Sequence, residues 1–329
     1  GSEMCIRDRI MQMSTSKKIS ILVVIAICMS IFYLLVGLDF DIFEYQFQSR
    51  FKKFILILLV GAAIGTSVVI FQSITTNRLL TPSIMGLDSV YLFVKVLPIF
   101  ILGEQATVVT NIYLNFLITL IAMVFFSLLL FQVIFKLGHF SVYFILLVGV
   151  ILGTFFRSIT SFLQLIMNPE SFLAVQNVMF ASFEASNSKL VTVSGILLVI
   201  LIIVTIILRP YLDVLLLGRA QAINLGVSYE NMTRMFLILV ALLVSISTAL
   251  IGPVTFLGLL TVNLAHEFMK TYEHKFILPA TILFSWISLF IAQWVVENLF
   301  EATTEFSLIV DLVGGSYFIY LLVKRRNAN

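Results

Sequence analysis

The chain has 329 residues, 60% of them hydrophobic and only 11% charged, with a formal net charge of +3 at neutral pH. Ordinary soluble domains carry roughly 25% charged residues, so a chain of this length cannot hide so much apolar surface in a water-exposed core. The composition excludes a soluble enzyme and requires lipid as the solvent.

Residues 1–18 read as a leader and a cytoplasmic N-terminus. Gly1 to Gln12 has the look of expression or reading-frame sequence, and Met13-Ser-Thr-Ser-Lys-Lys reads as a natural start. The apolar run Ile19 to Val36 follows. It is longer than a signal-peptide core and lacks a small-residue cleavage site behind it, so it is expected to remain as a first helix.

A membrane span needs about 20 mostly apolar residues. Uncharged runs near that length follow at Phe54 to Phe71, Ile112 to Phe135, Leu190 to Leu208 and Phe276 to Val296, with shorter or interrupted runs at Val90 to Leu102, Val142 to Leu165 and Leu308 to Val323. Met235 to Ala265 is uncharged over a length too great for one ordinary span, and Gly252-Pro253 is the expected break. Backbone groups in hydrocarbon must be satisfied internally, and runs without period-2 alternation favour helices over a barrel. The expected fold is therefore all-α integral membrane, with about ten transmembrane helices in a single domain over 19–323.

Charge sets the orientation. With the N-terminus inside, the inner segments hold most of the 20 Lys and Arg residues, among them Lys17, Lys18, Arg209, Arg219, Lys324, Arg325 and Arg326. Both termini are expected to be cytoplasmic, the second as a basic tail over 324–329. Outer segments hold four basic residues, three of them together as Arg50, Lys52 and Lys53. Against the topology rule, these either snorkel at the interface or form a docking point for an acidic partner outside.

The longest inner interruption is 209–234. Ala220, Ala222 and Leu225 could form the apolar face of one or two short helices there, with Gly218 and Gly226 as breakers. Such an amphipathic hairpin would suit a partner at the inner surface.

Chemistry-bearing motifs are scarce. Cys5 and Cys28 suit neither a zinc cluster nor a structural disulfide, and no Gly-x-x-x-x-Gly-Lys-Ser/Thr phosphate loop occurs. His139, His266 and His274 fall at inner ends, where they read as interfacial residues rather than ligands. Catalytic residues, metal ligands and a nucleic-acid partner are not expected.

Two cations, Lys95 and Arg157, lie within expected spans, and each costs at least about 2.5 kcal/mol at the bilayer centre unless it faces protein or water. Lys95 sits in a short span from which it could snorkel. Arg157 lies among Ser158, Thr160 and Ser161, hydroxyls that could line a wet passage, with Phe155 and Phe156 beside it.

Several fragments stand in order along the chain: Arg50-Phe51-Lys52-Lys53 then Gly61-Ala62; Gln72, Asn77-Arg78-Leu79, Pro82 and Met85-Gly86; Gly218, Ala222, Leu225, Gly226 and Val227. Gly252, Pro253, Phe256, Gly258 and Leu259 make the most specific fragment, followed by Glu273-His274-Lys275 before Leu278-Pro279, and by Gly314-Gly315 and Phe318. In these the chain resembles the permease subunits of binding-protein-dependent ABC importers for iron-siderophores, haem and cobalamin. It departs from the pattern at Arg78, at Val262 to His266 and at Glu305 to Ile309.

The resemblance implies a type II importer subunit working by alternating access in a permease dimer, homomeric or paired with a sister subunit. Ferric siderophore is the expected substrate, with haem or cobalamin as the alternative. A zinc or manganese permease would be expected to show His and Asp in its spans, and a secondary transporter would show intramembrane carboxylates, of which only Asp88 and Asp311 near span ends occur. No cofactor is expected in this chain, since ATP and magnesium would sit on cytoplasmic ATPase subunits. These would be met through Gly218, Arg219, Ala220, Ala222, Leu225 and Gly226. An extracytoplasmic substrate-binding protein would dock at Arg50 and Lys53, and Arg157, Ser158, Thr160, Ser161 and Lys95 would line the pathway.

Overall fold

The computed structural model describes residues 14–37, 43–136, 142–183, 187–300 and 305–326. Among them are thirteen α-helices, one 3-10 turn and no strand. The helices are α1 (Thr15–Leu35), α2 (Phe43–Thr75), α3 (Leu87–Leu102), α4 (Thr107–Thr110), α5 (Ile112–Lys136), α6 (Val142–Leu165), α7 (Pro169–Met179) and α8 (Ser188–Leu215). They continue as α9 (Arg219–Asn224), α10 (Tyr229–Ile251), α11 (Leu257–Met269), α12 (His274–Leu299) and α13 (Phe306–Arg326).

Eight of the nine apolar runs of the sequence each fall on a helix of their own, and the ninth, Met235 to Ala265, is divided by the break at Gly252-Pro253 into α10 and α11, which makes ten helices. Seven helices, α1, α2, α5, α6, α8, α10 and α12, are long and apolar enough to cross a membrane. The other three are shorter: 16 residues in α3, 13 in α11 and the apolar stretch Phe306–Tyr320 of α13.

α2 and α10 form the centre of the bundle and are mostly buried, whereas α1, α5, α6 and α8 present most of their surface outward. The outward surface is apolar, with Leu165, Ile207 and Val24 among its exposed side chains. Lipid accounts for that inversion, since an exterior of this kind in water would be a large aggregation-prone patch.

Two backbone features position the sites. Gly86 has φ +89, and a Cβ there would lie 2.6 Å from Gly153 Cα, so α6 crosses the start of α3 at backbone contact. Gly252 has φ +100 and packs against Ala181, and Pro253 offers no N–H to continue α10. The chain then runs non-helically until α11, whose start is capped from α13: the Phe256 N–H donates to Asp311 Oδ1 at 3.1 Å. Within the same break, Thr255 Oγ1 donates to Asp88 Oδ2 on α3 at 2.8 Å. The Gly-Pro-x-x-Phe fragment therefore marks a broken helix pinned by carboxylates from two other helices.

Candidate translocation and coupling sites

Arg50 and Lys53 lie one turn apart on one face of α2, which points them at the same neighbour. That neighbour is Glu297 near the end of α12, with Arg50 Nε 3.5 Å from Oε2 and Lys53 Nζ 3.0 Å from Oε1. The Tyr33 hydroxyl and the Gln293 amide also donate to Oε1, at 3.2 and 2.9 Å. Arg50 spends its remaining donors on the carbonyls of Tyr33, Val36 and Gly37 at the end of α1. Both cations are only 9% exposed. Arg50 and Lys53, expected from the sequence as a docking point, form a buried clamp that ties α2 to the ends of α1 and α12, with Glu297 supplying the counter-charge from within the chain.

The residues expected along the pathway do not gather in one place. Arg157, Ser158 and Ser161 are exposed on the outer face of α6, while Thr160 is buried and donates to the carbonyl of its own helix at Phe156. Phe155 also points outward, but Phe156 packs against Phe93 and Phe126. Lys95 does not snorkel. It donates to Asn115 Oδ1 on α5 and stands over the Tyr91 ring, in a cavity of about 250 Å³ between α3, α5, α8 and α10 that also receives Phe180 and Ser182.

Between Gly218 and Gly226, both at positive φ, lies the single short helix α9 and no hairpin. Its packing divides the expected apolar face. Ala222 is fully buried, whereas Ala220 is exposed, and Leu217, Ile223 and Leu225 are exposed at 54, 53 and 61%. Arg219 is exposed and paired with Glu230 at 2.8 Å.

Beside α9 opens a cavity of about 870 Å³ lined by residues that include Arg78, Arg209, Asp213, His266, Glu273 and Lys275. Its wall holds a chain of polar groups across three helices: Ser73 Oγ lies 2.6 Å from His274 Nε2, and His274 Nδ1 lies 2.6 Å from Asp213 Oδ1. The order is that of a nucleophile, a base and an orienting acid. It is not a hydrolytic site, because Ser73 sits inside α2 and its hydroxyl donates to the Val69 carbonyl of its own helix at 2.7 Å. His266 lines the same cavity, and His139 lies outside the described residues. No group of three or more potential metal ligands occurs among the described residues.

The sequence alone did not single out Glu297, Asp213, Ser73 or Asn115. Gln293 one turn before Glu297 is the local signal for the first, since two polar residues on one stripe of a span need a shared partner. The others are joined only by tertiary contacts.

The profile of the FecCD transport family matches residues 13–324. This chain belongs to the FecCD transport family. As a FecCD protein it is a multi-pass transport subunit of the bacterial cytoplasmic membrane, not an enzyme. It is similar to the petrobactin import system permease protein YclO of Bacillus subtilis strain 168, at 43% identity over 317 residues, covering 96% of this chain and all of that one. The petrobactin import system permease protein FatC of Bacillus anthracis is 30% identical over 291 residues, 88% of this chain and 82% of the relative. A solved metal-chelate type ABC transporter in an inward-facing conformation superimposes with a TM-score of 0.81 at 25% identity, covering 94% of this FecCD chain and 100% of its own.

Proposed function

We propose that this chain is the membrane-spanning permease subunit of an ABC importer for a ferric siderophore, moving the intact chelate by alternating access while separate subunits hydrolyse ATP. The observation that carries this reading is the 43% identity, end to end, with a permease named for petrobactin import. Three features of the geometry support it.

Arg157, Ser158 and Ser161 form an exposed polar strip on a largely apolar helix. A cation at bilayer depth is costly against lipid, by at least about 2.5 kcal/mol, so the strip faces protein or water. A second permease subunit covering α6 would enclose it, and the guanidinium would then attract anionic chelates through a low-dielectric passage. Lys95 adds a second cation from its own small cavity.

The ATPase subunits engage α9 through exposed Leu217, Ile223 and Leu225, with Ala222 anchoring the helix from beneath. Docking of an extracytoplasmic binding protein depends on Arg50 and Lys53 indirectly: both are buried, and they hold α2 in register with the ends of α1 and α12 that the partner would meet.

Uptake of ferric siderophores and haem carrying labelled iron, and of cobalamin carrying labelled cobalt, in cells lacking only this chain decides the substrate. Loss confined to ferric siderophores supports the reading, and loss confined to haem or cobalamin overturns it.

A further inference from the structure

Of the three clustered cations on α2, Glu297 accounts for Arg50 and Lys53 and leaves Lys52 over. Lys52 lies on the other side of the helix, is exposed, and makes no ion pair among the described residues. It stands at the mouth of a groove of about 540 Å³ between α2 and α8.

The groove is a matched pair of stripes. Lys52, Ile55 and Leu59 come from α2, and Ser188, Val191, Thr192, Gly195, Ile196, Val199 and Ile200 come from α8, each set at three- and four-residue spacing. Gly195 makes the floor, since a Cβ there would meet Leu59 Cδ1 at 2.8 Å. From Ser188 to Ile200 the helix rises about 18 Å. That is close to half of the roughly 30 Å hydrocarbon thickness, so the groove is about one leaflet deep. Its only charged lining residue sits at one end, at the level of Ser188.

We infer that this groove binds an anionic phospholipid, with the phosphate beside Lys52 and Ser188 and one acyl chain lying along Val191 to Ile200. A cation over an apolar trough of leaflet length is complementary to a molecule with an anionic head and a hydrocarbon tail. The alkyl stem of Lys52 lies on apolar surface while its ammonium reaches the headgroup. The site also explains a basic residue kept where the topology rule disfavours one.

Native mass spectrometry of the purified full chain tests this, with added phosphatidylglycerol and phosphatidylcholine of matched acyl length. The wild type should retain one phosphatidylglycerol per chain and prefer it at least tenfold. Lys52→Gln should bring the preference close to one, and Thr192→Trp, which fills the exposed side of the groove, should remove both lipids. Melting temperatures in lipid-free detergent should stay unchanged, since both side chains lie on the surface. Equal retention of the two lipids by the wild type, or unaltered retention in both variants, would overturn the assignment. So would cross-linking of two copies through Ile196→Cys in a chain freed of Cys5 and Cys28, because a second copy would then occupy the groove.

Discussion

Lys53 Nζ lies 3.0 Å from Glu297 Oε1, and this contact ties α2 to the end of α12. Arg50 completes the clamp by reaching the last carbonyls of α1. Glu297→Gln leaves two buried cations short of their counter-charge and should destabilise the protein by about 3 kcal/mol. The Lys53→Met, Glu297→Gln pair should cost less than the single change, because one stranded charge is removed as well. Thermal unfolding of the purified variants checks both, and an unchanged melting temperature in Glu297→Gln would show that the clamp carries no stability.

Leu225 and Ala222 separate two roles within α9. Leu225→Asp alters only an exposed side chain, so it should abolish co-purification with the ATPase subunits at an unchanged melting temperature. Ala222→Asp places a carboxylate where nothing is exposed, and it should lower the melting temperature as well. If the Leu225 variant kept its ATPase and its transport activity, α9 would not be the coupling element.

Arg157→Met retains length and removes charge. Uptake of an anionic ferric siderophore should fall at least tenfold while insertion, melting and ATPase association hold, and Arg157→Lys should recover part of it, since charge returns without the planar donor fork. Normal uptake in the Met variant would remove Arg157 from the pathway.

The chain Ser73, His274, Asp213 joins α2, α12 and α8 beside α9. Asp213→Ala removes the acceptor of both the His274 ring and its backbone N–H, and should cost about 2 kcal/mol. Asp213→Asn retains an acceptor oxygen and should cost less. Equal melting temperatures for wild type and Asp213→Ala would make the contact incidental. Incubation with esterase substrates should show no hydrolysis dependent on Ser73.

Helix identity was legible from the sequence because the bilayer imposes it locally: an uncharged run of span length has few other fates, and Gly252-Pro253 breaks a helix by its own backbone chemistry. Family membership was legible through the ordered Gly and Pro fragments, whose glycines permit close approaches such as that of Gly252 to Ala181. Side-chain partnership was not. Nothing near Arg50 in the sequence announces Glu297, 247 residues later, and Ala222 and Leu225 look equivalent until packing buries one and exposes the other. A strip such as Arg157 to Ser161 can be read for its types, but rotation of α6 decides that Thr160 turns inward while its neighbours do not.

Reconstituted transport is the most direct test of the central claim. The chain is placed in proteoliposomes with its ATPase subunits and a siderophore-loaded binding protein, and accumulation of the labelled ferric siderophore is followed with ATP, with ADP and under an imposed proton gradient. Uptake that requires ATP, the binding protein and this chain together is the predicted result. Uptake driven by the proton gradient without ATP would contradict the account.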